Sequence, residues 1–163
     1  NNIIVGTRFG FEYGNYEQGG GMQDVLVANN TVVNAVEAAI KIDPDSHRGN
    51  RVLNNIFYRT RGGPLEMGSS TGTWFDRNCW YGGSSGAFSG AGDVLDDPLL
   101  VQPGSLSPSG YRLRDGAPCA VSGRALTEVQ SDFSGAVRTN PYSSGAYEKD
   151  SPPPGPINIR VIP

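Results

Sequence analysis

The sequence predicts an all-β fold, wound as a coil of three-sided turns. Three observations lead to this prediction: a composition poor in helix formers, an Asn-anchored motif that returns along the chain, and short apolar strands at near-constant distances from each anchor. The chain has 163 residues, of which 23 are Gly. That is roughly twice the usual share of Gly, which helix-rich folds avoid. A helical bundle is excluded, and a β protein dense in turns is favoured.

The repeat begins with an Asn that is followed by apolar residues. The four anchors lie 28, 25 and 23 residues apart, at Asn2, Asn30, Asn55 and Asn78. A second short strand follows nine or ten residues later, around 11–13, 40–42, 65–67 and, weakly, 85–89. A third precedes each later anchor, at 25–27, 52–53 and 74–75. Three strands per repeat are typical of a solenoid whose turns stack about 4.8 Å apart.

The choice of Asn at the anchors has a physical reason. Asn tolerates the left-handed backbone of a sharp bend, and its side chain is both a donor and an acceptor. We therefore expect Asn2, Asn30, Asn55 and Asn78 to stack as one column, in which each side chain bonds to the next turn.

The repeat divides the chain into three parts. About four coils occupy residues 1–92, of which 82–92 form a Gly/Ser-rich loop. Residues 93–150 carry no repeat and are predicted to be irregular strands and loops that cap the last coil. Residues 151–163 combine a Pro-rich linker with a terminal strand. The first coil begins without a cap, so we expect either a homo-oligomer or missing N-terminal coils.

Charge and cysteine content exclude several partners. A net charge of −3 argues against nucleic-acid binding. No apolar run approaches the roughly 20 residues that span a bilayer, so no membrane partner is expected. The chain opens without a leader, which implies that one has been removed or that the chain is an internal fragment. Cys79 and Cys119 lack zinc-site spacing, and either a disulfide or two separate thiols fits them.

These motifs resemble the right-handed parallel β-helix of the pectate-lyase-like superfamily. The stretches 97–101, 111–113, 117–121, 132–135 and 145–148 are similar to the closing module of secreted bacterial polysaccharide-processing proteins. The resemblance implies a C-terminal portion of such a protein, with an extracellular location and no required cofactor. It specifies activity weakly, because the superfamily includes lyases, hydrolases, epimerases and adhesins.

The resemblance also implies where substrate lies, on the sheet formed by the strand after the Gly-rich bend. The outward residues there are predicted to be Glu12, Lys41 and Glu66, one per turn. They are either a charge ladder, at about 0.2–1 kcal/mol per pair, or a stripe that binds an acidic polysaccharide. Arginines of the flanking bends would clamp its carboxylates, namely Arg8, Arg59 and Arg61 on one side and Arg48 on the other.

The leading functional hypothesis is a lyase that cleaves an acidic polysaccharide by β-elimination. Lys41, desolvated between turns, or His47 would remove the carbon-bound proton, and Tyr16 would protonate the leaving oxygen. The first alternative is a non-catalytic glycan-binding or structural segment. A third is an inverting hydrolase that uses Glu12 and Glu66, two turns and roughly 9.5 Å apart, but Lys41 would then occupy the space between them.

The remaining candidates have both structural and functional interpretations. Asp43 and Asp45 offer oxygen ligands for Ca²⁺, although a polar turn explains them as well. His47 is more simply a solvated loop residue. Tyr58 and Tyr81 are either outward side chains without a role or platforms for sugars. The other large aromatic residues of the coils are expected in the core: Phe57, Trp74, Phe75 and Trp80.

Overall fold

The computed structural model describes residues 1–16 and 19–150. The predicted linker and terminal strand at 151–163 lie outside the described residues. Helical structure in the described part consists of three short 3₁₀ turns, Gly86–Phe88, Pro108–Tyr111 and Pro118–Ala120. The strands are β1 Ile3–Val5, β2 Phe9–Tyr13, β3 Leu26–Ala28, β4 Thr31–Val33, β5 Ala38–Ile42, β6 Asn50–Leu53, β7 Ile56–Tyr58, β8 Glu66–Gly68, β9 Thr73–Asp76 and β10 Cys79–Tyr81.

These strands form three parallel sheets. The first sheet has the order β1-β4-β7-β10, the second β2-β5-β8 and the third β3-β6-β9. The fold is therefore an all-β parallel β-solenoid of three complete turns, with β10 opening a fourth. The fourth strand expected in the second sheet, around Phe88, is a 3₁₀ turn instead.

The interior of the solenoid is one apolar core. Trp80 stacks on Phe57 with ring centroids 4.3 Å apart, and Phe88 stacks on Phe75 at 4.7 Å. Phe88 is fully buried, so the loop of residues 82–92, which follows β10, covers the apolar core at the C-terminal end of the coils.

The predicted column of Asn side chains is confirmed. The Nδ2 of Asn2 donates to Oδ1 of Asn30 at 2.8 Å, that of Asn30 to Asn55 at 2.9 Å, and that of Asn55 to Asn78 at 3.0 Å. Each Oδ1 also accepts the backbone N–H of the preceding anchor. The backbone N–H of Asn78 then donates to Asp93, whose carboxylate also accepts the indole N–H of Trp80. We call this column the inner ladder.

The residues just before the anchors have a different role. Asn29, Asn54 and Arg77 all have positive φ, between 54° and 56°. Their side chains contact the segment 93–150: Asn29 donates to the carbonyls of Ser143 and Gly145, Asn54 exchanges two bonds with the backbone of Arg124, and Arg77 donates to the carbonyl of Ser122. One Asn of each Asn-Asn pair therefore ties turn to turn, and the other ties the coil to this segment.

The segment 93–150, which we call the cover, caps the last coil only at its start, where Val94 pairs with Cys79 of β10. It packs along the outer face of the first sheet, where it forms a second apolar core that includes Val33, Ile56, Leu100 and Leu113. The Cys79–Cys119 disulfide, which the sequence left open, joins β10 to the cover inside this core. The rest of the cover departs from the prediction because the first sheet is apolar on both faces, and the outer face requires burial as much as the inner one does.

The end of the cover is fixed to the first turn by a buried cluster around Arg138. Its guanidinium donates to Glu148 at 3.0 Å and to Oδ1 of Asn1 at 2.9 Å, and also to backbone carbonyls between residues 143 and 146. Burial lowers the pKa of Arg138 and raises the pKa of Glu148. A buried pair of this kind is costly to break, because either partner alone is left as an uncompensated charge.

Candidate functional site

The outer face of the second sheet is open in this structure. The cover buries the outer face of the first sheet, and Glu128 of the cover reaches the third sheet through an ion pair with Arg51 at 2.7 Å. On the second sheet, Glu12 and Met67 remain exposed. This face, on which the resemblance places the substrate, is therefore the candidate binding surface.

The register of the second sheet confirms one half of the predicted ladder. Glu12 lies beside Lys41, but Lys41 lies beside Met67, and Glu66 pairs with Ile40. The prediction for Glu66 was wrong by one position, because the bend before the strand lengthens from 6–8 to 34–37 to 59–65. Burial raises the pKa of Glu66. The aligned carboxylate pair that a hydrolase would need is absent from these described strands.

Lys41 is held between two carboxylates. Its Nζ lies 3.1 Å from Oε1 of Glu12 and 3.1 Å from Oδ2 of Asp43, and only 15% of its side chain is exposed. The hydrogen bonds that Lys41 donates to Glu12 and Asp43 raise the pKa of Lys41 above its ordinary value. The prediction of a base with a depressed pKa was therefore wrong: the neighbouring carboxylates outweigh desolvation, and Lys41 keeps its proton at neutral pH.

Tyr16 lies above this pair. Its side chain is 73% exposed, and its hydroxyl donates to Oε1 of Glu12 at 3.2 Å. The ammonium of Lys41 is 6.0 Å from the centroid of the Tyr16 ring and 5.4 Å from that of Phe9. The structure thus brings together two of the predicted catalytic residues, Lys41 and Tyr16, with Glu12 between them. We call these three residues the sheet cluster.

His47 is not part of the sheet cluster. It is 6% exposed, so its interpretation as a solvated loop residue was wrong. Its Nδ1 accepts the backbone N–H of Met22 at 3.0 Å, which leaves the proton on Nε2, 2.8 Å from the carbonyl of Asp43. The ring also packs edge-on against Tyr13. Both nitrogens are therefore occupied by backbone groups, which hold two bends together.

Asp43 and Asp45 are engaged separately. Asp43 pairs with Lys41, whereas Oδ2 of Asp45 accepts the hydroxyl of Tyr13 at 2.6 Å, and this bond lowers the pKa of Asp45. Among residues 1–16 and 19–150, no group of three or more His, Cys, Asp or Glu side chains is placed to hold a metal ion. The geometry gives the predicted Ca²⁺ site no support.

The predicted arginines have unequal surroundings. Arg8 pairs with Glu37 at 2.6 Å, and Arg48 donates to Gln23 at 2.8 Å on the opposite bend. Arg59 donates from three nitrogens to the carbonyls of Gly63 and Gly82. Arg61 is exposed and borders a cleft of about 500 Å³. The structure therefore places only Arg59 and Arg61 together in one cavity.

For the aromatic residues, the structure excludes one of the open alternatives and shows that one prediction was wrong. Tyr58 stacks on Tyr81 at 5.1 Å, but the cover buries Tyr58, so it is no open platform. Trp74 is 48% exposed rather than part of the core, and the guanidinium of Arg124 lies 5.1 Å from its ring centroid. The strand register gives the signal that was missed: Trp74 aligns with Arg51, and its neighbour Phe75 aligns with the buried Val52.

A scan against protein-family models and a search of curated proteins each found no match to this sequence. No helix of the described residues is long and apolar enough to cross a membrane. The class of protein is therefore defined by its fold, a parallel β-solenoid with a second core beneath its cover.

Proposed function

We propose that this protein binds a polysaccharide chain along the outer face of the second sheet and does not cleave it. The observation that supports this most is the sheet cluster of Glu12, Lys41 and Tyr16 on the face that the cover leaves open. An exposed aromatic ring beside fixed polar groups offers a sugar both an apolar contact and hydrogen bonds. Such a face suits a chain that crosses several turns.

The reactive atoms favour binding over cleavage. A general base must be free to accept a proton from the substrate. Lys41 holds its proton between Glu12 and Asp43, and both nitrogens of His47 are bonded to the backbone. We also propose that the protein is a secreted member of the pectate-lyase-like superfamily. The solenoid and the inner ladder support this, and so does the disulfide, which is typical of oxidising compartments.

β-Elimination is the second candidate, favoured by the contact between Tyr16 and Glu12. In this scheme Glu12 takes the proton from the carbon next to a uronate carboxylate, and the freed electron pair forms the double bond. The bond to the leaving oxygen breaks as Tyr16 donates its proton to that oxygen. Lys41 neutralises the carboxylate.

One experiment separates the two candidates. The protein is incubated with pectate, alginate and gellan, while binding is followed by calorimetry and unsaturated uronates by their ultraviolet absorbance. Binding without a rise in absorbance supports the proposal. Tyr16→Ala should then lower the affinity for the polymer roughly tenfold. Leu106→Ala, which truncates a fully exposed side chain of the cover, should leave this affinity unchanged.

Absorbance that rises with time and is lost in Glu12→Gln would establish the lyase and overturn the non-catalytic proposal. Absence of binding to all three polymers by the folded protein would reject both candidates.

A further inference from the structure

The turn that leads into Tyr16 consists of Gly14 and Asn15. We infer that these two are positioning residues of the proposed binding face, because they hold the Tyr16 ring over Glu12 before a ligand arrives. This inference rests on the proposed function and adds to it two residues that act through Tyr16. Neither carries a charge or an aromatic ring, so the charge and aromatic patterns of the sequence did not indicate them.

Gly14 gives the Tyr16 ring its space. The three heavy atoms nearest to a Cβ at position 14 are Cε2, Cζ and Cδ2 of Tyr16, and all three would overlap it. The φ of Gly14 is not positive, so the ring rather than the backbone conformation requires glycine here. The carbonyl of Gly14 accepts the N–H of Tyr16 at 3.0 Å. This tight turn folds the ring back, which brings its hydroxyl within 3.2 Å of Oε1 of Glu12.

Asn15 ties the same turn to the next coil. Its backbone N–H donates to Oδ2 of Asp43 at 3.2 Å, and its Nδ2 donates to the carbonyl of Pro44 at 3.1 Å. Oδ2 of Asp43 also lies 3.1 Å from Nζ of Lys41. One carboxylate oxygen therefore contacts both the turn that carries the ring and the ammonium of the sheet cluster. Contacts between two coils thus set the position of the ring.

The described residues on the far side of this loop are held by the same bend. The N–H of Gly21 donates to the hydroxyl of Tyr13, which in turn donates to Asp45. The N–H of Met22 donates to Nδ1 of His47. The bend after β5, where the sequence suggested a base and a Ca²⁺ site, therefore supports the loop that presents Tyr16.

A ring fixed in advance favours binding. The Tyr16 side chain is 73% exposed, and an exposed side chain without such restraints occupies several rotamers. A ligand that needs one rotamer must exclude the others, which lowers affinity roughly two- to tenfold for a single side chain. Gly14→Ala should displace the ring and lose its contact with the ligand as well. We therefore expect an affinity five- to tenfold lower, close to that of Tyr16→Ala.

The test is a double-mutant cycle on whichever of pectate, alginate and gellan binds most tightly, with affinity measured by calorimetry. In the Tyr16→Ala background, Gly14→Ala should change affinity less than about twofold, because no ring remains to be displaced. Asn15→Ala should lower affinity roughly threefold in the presence of Tyr16. Gly83→Ala is the matched control, since its Cβ would meet nothing closer than 3.2 Å, and it should leave the affinity unchanged.

A second measurement needs no ligand. The ammonium of Lys41 lies 6.0 Å from the centroid of the Tyr16 ring, so the ring shifts the side-chain resonances of Lys41. Gly14→Ala should change these resonances in the same direction as Tyr16→Ala does, and Gly83→Ala should not. The midpoint of thermal unfolding should stay the same in Gly14→Ala, because the displaced ring is a surface side chain.

Failure of the inference is distinguishable from failure of the proposed function. Equal losses from Gly14→Ala with and without the Tyr16 ring would show that Gly14 acts on the bend itself. That result, or unchanged affinity in Gly14→Ala, would overturn the positioning role and keep the glycan-binding face. Binding that is insensitive to Tyr16→Ala would overturn the role of the ring and the inference with it. Binding of none of the three polymers would reject both.

Discussion

The first and second sheets share one core but differ on their outer faces. The outer side chains of the first sheet pack in a second core beneath the cover, whereas those of the second sheet form a charged and aromatic cluster open to solvent. The inner faces of both are needed to fold the coil. The polar residues of the second sheet are therefore not needed to bury this face, which leaves them available for the proposed binding role.

The largest effect is expected where the cover is joined covalently to the coil. The disulfide closes a loop of 40 residues, which by loop entropy stabilises the fold by about 4 kcal/mol. Replacing both Cys79 and Cys119 with Ser should lower the free energy of unfolding by about this amount in urea titrations. An unchanged urea midpoint would show that the apolar contacts of the cover hold it without the bond.

The second-largest loss of stability is expected in the inner ladder. Oδ1 of Asn55 accepts two bonds from Asn30, and its Nδ2 donates to Asn78 and to the carbonyl of Leu53, all in the buried interior. Asn55→Ala leaves these groups without partners and should cost about 3 kcal/mol of unfolding free energy, measured by thermal and urea denaturation.

Its control is the outer neighbour Asn54, whose bonds run chiefly to Arg124 in the cover. Asn54→Gly keeps the positive φ and should cost about 1 kcal/mol. Equal losses for Asn54→Gly and Asn55→Ala would contradict the division of roles within the Asn-Asn pairs.

The open face should tolerate substitution. Lys41→Gln removes the cation between two partly exposed carboxylates but keeps a hydrogen-bond donor there, and the free energy of unfolding is expected to fall by about 1 kcal/mol. Glycan affinity should fall in the same variant. A large loss of stability without loss of binding would show that the cluster is structural, as the charge-ladder interpretation holds.

The smallest effect is expected at the ion pair between the cover and the third sheet. The hydrogen bond from Arg51 lowers the pKa of Glu128 to about 2 from an ordinary 4.5. A depressed carboxyl pKa stabilises the fold above about pH 4.5, and this contribution is lost as the pH falls toward 2. Glu128→Gln should therefore melt slightly below the wild type at pH 7, with the difference shrinking on acidification. A constant difference would show that ionisation is not its cause.

The sequence was sufficient for the coil because its signal is periodic. The four anchors each occupy the same kind of bend, so their spacing predicted the inner ladder. The short apolar strands at near-constant distances from them predicted the three sheets. The position of Glu66 was not predictable in this way. Glycines 62 and 63 allow an extra residue in the bend, and Gly62, at φ +97°, approaches the carbonyl of Ala35 too closely for any side chain.

The site was harder to predict than the fold because it depends on contacts that do not recur with the sequence repeat. Burial of His47 follows from its packing against Tyr13. The raised pKa of Lys41 follows from its hydrogen bonds to Glu12 of the preceding turn and to Asp43, which lies just after β5. The cleft beside Arg61 combines that residue with Tyr81, which belongs to a different turn. The exposure of Trp74 was predictable, since adjacent residues of one strand cannot both face the same core.

Asp93 marks the point at which the coil must stop. The column of carboxamides has a direction, because the side chains of Asn2, Asn30 and Asn55 each donate to the next anchor. At Asn78 the side chain donates instead to the carbonyl of Val52, and from Asn78 Asp93 accepts only the backbone N–H. A carboxylate accepts hydrogen bonds but donates none. Duplicating a repeat after Asp93 would therefore not extend the column by a further turn. Lengthening this protein would require an amide at that position, together with a new acceptor for the indole of Trp80.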